Sequence, residues 1–127
     1  MPGYDGTLFS PPAPLAAVSL RIQDTNEIVP GVLMLIDSGA DVTLLPSESV
    51  NRLGVSIDAD AVYELMGFDG SRSAVPAAYL DLIFEKQVFR GRFLVVDQAI
   101  GIIGRDILNH VSILLDGPHL IWRRVSG

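Results

Sequence analysis

Asp37 is the residue of this chain best placed to do chemistry. It follows the apolar run Val32–Ile36 and precedes Ser38 and Gly39, so a strand delivers one carboxylate onto a tight turn. A carboxylate brought up by an apolar strand is costly unless hydrogen bonds or a function compensate. Asp-Ser-Gly occurs once; Asp69-Gly70-Ser71 and Asp116-Gly117-Pro118 share letters with it in another order. Acid–base chemistry that needs two facing carboxylates therefore needs two copies of the chain. Two other readings stand beside this one. In the first, Asp37 only caps its own turn through its side chain. In the second, Ser38 is a nucleophile, but its surroundings are not Gly-x-Ser-x-Gly, and neither His110 nor His119 has an obvious route to it. Gly39 is expected either to adopt a backbone conformation closed to other residues or to let a substrate backbone approach closely.

The elements that must position Asp37 read as short strands. Residues 1–14, with Pro2, Pro11, Pro12, Pro14, Gly3 and Gly6, read as an extended arm rather than a core element, with the main domain at 15–127. Ala17–Ile22 alternates as a strand, and Asp24–Glu27 turns into Ile28–Ile36. Val42–Leu45 is apolar and ends at Pro46; a short helix follows, with Ser47 as its N-cap and Gly54 as its stop. Val62–Met66 and Ser73–Ile83 flank a glycine-bearing hairpin tip, and Glu85–Gln87 turns into Val88–Val96. Ile100–Ile103 reads as a buried strand and Gly104–His110 as a second short helix. Val111–Leu115 and His119–Arg123 then form a hairpin across Asp116–Pro118. Many short strands with two brief helices predict a closed or nearly closed all-β domain.

Composition narrows the function classes. The 127 residues suit one domain, and 49% hydrophobic with 19% charged residues excludes a disordered chain. No apolar run approaches the roughly 20 residues of a membrane span, and no secretory leader is read at the N-terminus. Nine basic and 15 acidic residues give a net charge of −6, and the eight arginines are scattered, which argues against nucleic acid as a partner. With no cysteine and two isolated histidines, neither a metal site nor another cofactor is expected. The lack of cysteine also fits a reducing, cytoplasmic setting.

Two segments carry a family resemblance. Leu35-Ile36-Asp37-Ser38-Gly39-Ala40-Asp41-Val42-Thr43-Leu44-Leu45 resembles the active-site segment of the retropepsin-like aspartic proteases. Ile102-Ile103-Gly104-Arg105-Asp106-Ile107-Leu108 resembles their downstream signature of two apolar residues, Gly-Arg, Asp or Asn, and two aliphatics. The order and separation match, with a hairpin between them where the family has its flap, and the likeness spans residues 17–122.

The resemblance implies a closed β-barrel of the acid protease fold, active as a homodimer, that hydrolyses peptide bonds with Asp37 from each chain. It implies that Ser38 braces the paired loops, that Gly39 and Ala40 line the cleft, and that Asp41 and Arg105 form a supporting ion pair. Ile102, Ile103 and Gly104 are expected to pack behind the Asp37 loop. Met66, Gly67, Phe68, Asp69 and Gly70 would form the flap, with fewer glycines than the retroviral pattern and a charge near the tip. An extended peptide is the expected substrate, held in apolar pockets built from residues such as Ala40, Val42, Met66, Phe68 and Ile100. The alternative within the same fold is a dimerisation or peptide-binding module with little hydrolysis. The apolar C-terminal hairpin, Ile113–Leu115 with Leu120–Trp122, is expected either in the subunit contact or in the core.

Overall fold

A computed structural model describes residues 3–66 and 72–126. Its strands are β1 (Gly3–Asp5), β2 (Ala13–Arg21), β3 (Ile28–Ile36) and β4 (Leu44–Pro46), followed by helix α1 (Ser47–Leu53). After α1 come β5 (Asp58–Met66), β6 (Arg72–Phe84), β7 (Gln87–Val96) and β8 (Gly101–Ile103), then helix α2 (Arg105–Leu108). A final hairpin, β9 (Ile113–Asp116) and β10 (Ile121–Arg124), completes the chain.

The strands form one sheet in the order β5-β6-β7-β4-β8-β3-β2-β1-β10-β9, and a further pairing of β6 with β2 closes a ring. Six strands, β2, β3, β8, β4, β7 and β6, make the barrel. Closure leaves none of these six strands with a free edge, while β5 and β9 stand at the ends of the sheet order. Alternation fills it: Ala16, Val18 and Leu20 of β2 and Val32 and Met34 of β3 are buried, while Ala17 and Leu33 between them face out. The core continues through Leu45, Val50, Leu80, Leu82, Phe84, Ile103 and Ile107.

The seam between β2 and β6 is locked by charge. Asp81 is fully buried and is the register partner of Arg21 on one side and Arg90 on the other. Its carboxylate accepts from Arg21 Nη2 and Arg90 Nε, each at 3.0 Å. The Arg90 hydrogen bond is the largest influence holding this carboxyl below its ordinary pKa of 3.8; burial opposes it, and Arg21 reinforces it. Nothing in the strand alternation pointed to this triad, because its members are brought together only by register.

Several boundaries differ from the sequence reading. Within the proline-rich N-terminus, Gly3–Asp5 is a strand that bridges β2 and β10, and β2 itself begins at Ala13. Pro46, not Ser47, occupies the N-cap of α1, in extended conformation and without a side-chain cap; Ser47 is the first helical residue. The helix closes as expected on Gly54, whose N–H donates to Val50 O at 3.2 Å. Helix α2 is a single turn, shorter than expected.

The C-terminal hairpin divides its apolar residues between two roles. Trp122 is buried, tilts against Phe84 with ring centroids 5.7 Å apart, and donates Nε1–H to Leu15 O at 3.0 Å. Ile113 packs on the core, whereas Leu114, Leu115 and Leu120 are exposed. No helix of the described residues is long and apolar enough to cross a membrane.

Candidate active site

Two paired strands set the position of Asp37. β3 and β8 run parallel with Leu35 opposite Ile102 and Ile36 opposite Ile103, and β8 pairs antiparallel with β4 at Ile102 and Leu44. The ladder extends one residue further, as Asp37 N–H donates to Ile103 O at 3.1 Å. The chain then turns, with Ala40 N–H donating to Asp37 O at 3.1 Å.

One carboxylate oxygen is held inside this turn: Gly39 N–H donates to Asp37 Oδ1 at 2.9 Å. The turn-capping role is thus real, and it occupies only one oxygen. No partner of Oδ2 lies among the described residues. Of the two expectations for Gly39, the special backbone conformation is not met by a positive φ, which among the described glycines belongs to Gly31 and Gly54. The constraint at Gly39 is space, since a Cβ there would sit 3.1 Å from Asp37 Oδ1.

Helix α2 braces the loop from the far side of the sequence. Arg105 N–H donates to Ala40 O at 2.9 Å, and Arg105 Nη1 donates to Ser38 O at 2.6 Å. Arg105 Nη2 pairs with Asp41 Oδ1. Asp41 is exposed and Arg105 partly so; such a pair adds little to stability but does fix the loop carbonyls in place. Close approach requires Gly104 to be glycine, because a Cβ would meet Val42 backbone atoms at 2.6 Å.

A second brace was missed in the sequence. Thr43 is buried; its hydroxyl donates to Asp106 Oδ1 at 2.7 Å and accepts from Gly104 N–H at 3.1 Å. Asp106 Oδ2 also accepts from Thr43 N–H at 3.1 Å. The available signal was a lone hydroxyl in the apolar run Val42–Leu45, paired with an acid one residue past Arg105.

The remaining expected residues are placed as follows. Ser38 is exposed on the loop, and Ala40, Val42 and Ile100 are partly exposed. Met66 ends β5, while Gly67, Phe68, Asp69 and Gly70 lie outside the described residues. Neither histidine supports Ser38 as a nucleophile. His119 Nδ1 lies 2.8 Å from Asp116 Oδ2, and this contact lowers the Asp116 pKa; His110 packs against Phe89. No group of His, Asp and Glu suited to a metal occurs among the described residues.

No protein-family model matches the sequence, and no curated protein matches it. Solved structures do. EIAV protease complexed with the inhibitor HBY-793 superposes with a TM-score of 0.57 at 25% identity, over 77% of this chain and 86% of that one. The retroviral protease-like domain of Ddi1 from Leishmania major superposes with a TM-score of 0.51 at 20% identity, over 89% and 90% of the two chains. The fold is the retropepsin-like aspartic protease fold, a closed barrel with two short helices.

Proposed function

We propose that this chain is an aspartic endopeptidase that works as a homodimer, with Asp37 of each protomer supplying half of one catalytic pair. The observation that carries this reading is the state of Asp37. One oxygen is tied to Gly39 N–H, no described partner meets the other, and the loop is braced by Arg105 within a retropepsin-like barrel.

The chemistry follows from bringing two such loops together. Carboxylates about 3 Å apart cannot both ionise, so they share one proton and titrate as a unit. The ionised member takes a proton from a bound water, which attacks the scissile carbonyl. The protonated member donates to the carbonyl oxygen, giving a neutral tetrahedral diol. Collapse of the diol returns a proton to the leaving nitrogen and restores the shared proton. A rigid loop matters because both oxygens must already be aligned when the water arrives.

The apolar surface beside the loop supports the dimer. Ile36, Ser38, Leu108, Val111, Ile113 and Leu115 line a depression of about 190 Å³ next to Asp37. β9 ends the sheet order, so its outer edge has no paired strand among the described residues, and Leu114 and Leu115 on it are exposed. A second copy seated there buries both the edge and the leucines. The substrate is an extended peptide bound by strand addition, and the setting is cytoplasmic.

The test is Asp37→Asn. The variant is expected to remain a folded dimer and to lose peptide hydrolysis entirely. A variant that still cleaves peptides removes Asp37 from the mechanism.

A further inference from the structure

The turn between β6 and β7, the exit of helix α2 and the end of β10 meet around a cavity of about 530 Å³. Hydrogen bonds fix each of its walls. Glu85 and Lys86 form a two-residue hairpin turn, with φ of 50° and 69°, closed by the Phe84–Gln87 register pair. Val125 N–H donates to Ser112 O at 2.8 Å, which ties the residues after β10 to those after α2. Arg124 then joins β10 to the turn: Nη1 donates to Glu85 O at 2.7 Å and Nη2 to Gln87 Oε1 at 2.8 Å.

The polar side chains of this lining are mostly donors. Lys86, Arg124 and His110 bring an ammonium, a guanidinium and an imidazole, and Ser112 and Ser126 bring hydroxyls. No side-chain partner of Lys86, Ser112 or Ser126 lies among the described residues, and His110 makes a ring contact with Phe89. The Arg124 fork keeps N–H groups beyond the two it uses. Glu85 is the one acid among the described lining residues, so positive charge gathers here on a chain whose net charge is −6. Val111 and Val125, both half-buried, add apolar wall. The volume falls within the about 300 to 1,000 Å³ of small-molecule sites and exceeds what a bare phosphate fills. Neither the Asp37 loop nor Arg105 lines the cavity, and Val111 is the one residue it shares with the depression beside Ser38.

We propose that this cavity binds a small organic phosphate monoester: Lys86, Arg124 and His110 hold the phosphate, and the organic part lies on Val111 and Val125. Charge-assisted hydrogen bonds from a guanidinium fork and an ammonium are the strong ones, and a terminal phosphate has oxygens enough for all the donors present. Two fixed cations match a dianion, whereas a carboxylate leaves one of them unmatched. Glu85 works against any anion and so limits the affinity. The site does not depend on the endopeptidase reading.

The experiment titrates the full-length protein with phenyl phosphate, inorganic phosphate and acetate at neutral pH and constant ionic strength. Binding is read from the backbone amide NMR signals of Lys86, Ser112 and Ser126. Phenyl phosphate should shift all three to saturation, and should bind about tenfold more tightly than inorganic phosphate because its ring covers apolar surface. Lys86→Gln, at an exposed turn residue, should weaken phenyl phosphate by about tenfold, the worth of one hydrogen bond to a charged group. Glu85→Gln should tighten it by about two- to threefold, a gain that a damaged fold does not produce. Any one of four results overturns the proposal. These are no saturable shift at the three amides, acetate binding as tightly as phenyl phosphate, inorganic phosphate doing so, or an affinity that Lys86→Gln leaves unchanged.

Discussion

The Thr43 hydroxyl donates to Asp106 Oδ1 at 2.7 Å, joining the segment after the Asp37 loop to helix α2. The same hydroxyl accepts from Gly104 N–H, so one buried oxygen holds both partners. Thr43→Val keeps the shape but leaves the Gly104 amide unsatisfied, at a cost of about 1–3 kcal/mol. Thr43→Ser should recover most of that loss. Denaturant unfolding of the two variants checks the order; equal stabilities would show that the hydrogen bonds contribute nothing.

Arg105 is expected to act on rate more than on stability. Its pair with Asp41 is solvent-exposed, which limits its worth to stability, yet it also holds the Ser38 carbonyl. Arg105→Lys keeps the charge and loses the fork that reaches both groups. The expected result is a fall in kcat of roughly tenfold or more, as small misplacements of reacting groups produce, with an unfolding midpoint close to wild type. A normal kcat would show that the loop holds its geometry without this side chain.

Acid should weaken the β2–β6 seam. The Asp81 carboxyl is held below its ordinary 3.8, chiefly by Arg90, so it favours the folded state whenever it is ionised. Its contribution is complete above pH 3.8 and disappears as pH falls from there through the lowered folded value. Asp81→Asn should cost about 1–2 kcal/mol near neutrality; the partly exposed arginines keep this below the roughly 3–5 kcal/mol of an enclosed pair. Stability measured against pH should show the wild-type and variant curves converging below pH 3.8. Parallel curves would remove Asp81 from the acid response.

Leu115 should report on association. It is 54% exposed on edge strand β9 and borders the depression beside Ile36 and Ser38. Leu115→Arg is expected to yield a folded monomer by sedimentation, with hydrolysis lost at low concentration and partly regained at high concentration. A dimer of unchanged affinity would place the contact elsewhere.

How much of this was readable from the sequence depended on distance along the chain. The Asp37 loop was legible because its strand, turn and glycine are consecutive, and the Arg105 segment because its residue order is distinctive. Arg21–Asp81–Arg90 and Thr43–Asp106 were not, since each joins residues at least nine apart, and mostly some 60 apart, through a register that alternation cannot supply. Gly3–Asp5 was hidden by the prolines around it and by its brevity: three residues are too few for a periodic signal. The C-terminal hairpin was read as apolar along Ile113–Leu115 and Leu120–Trp122; Trp122 and Leu115 are register partners, so alternation cannot separate them, and what buries one and exposes the other is that β10 lies inside the sheet order and β9 at its end.

Active-site titration tests the central claim most directly. A tight-binding peptide inhibitor with a hydroxyl-bearing tetrahedral centre is added to a known concentration of chains until hydrolysis stops. Sharing of one site by two Asp37 residues predicts an end point of one inhibitor per two chains, and no binding of comparable strength by Asp37→Asn. An end point of one inhibitor per chain, reached by a monomeric protein, would contradict it.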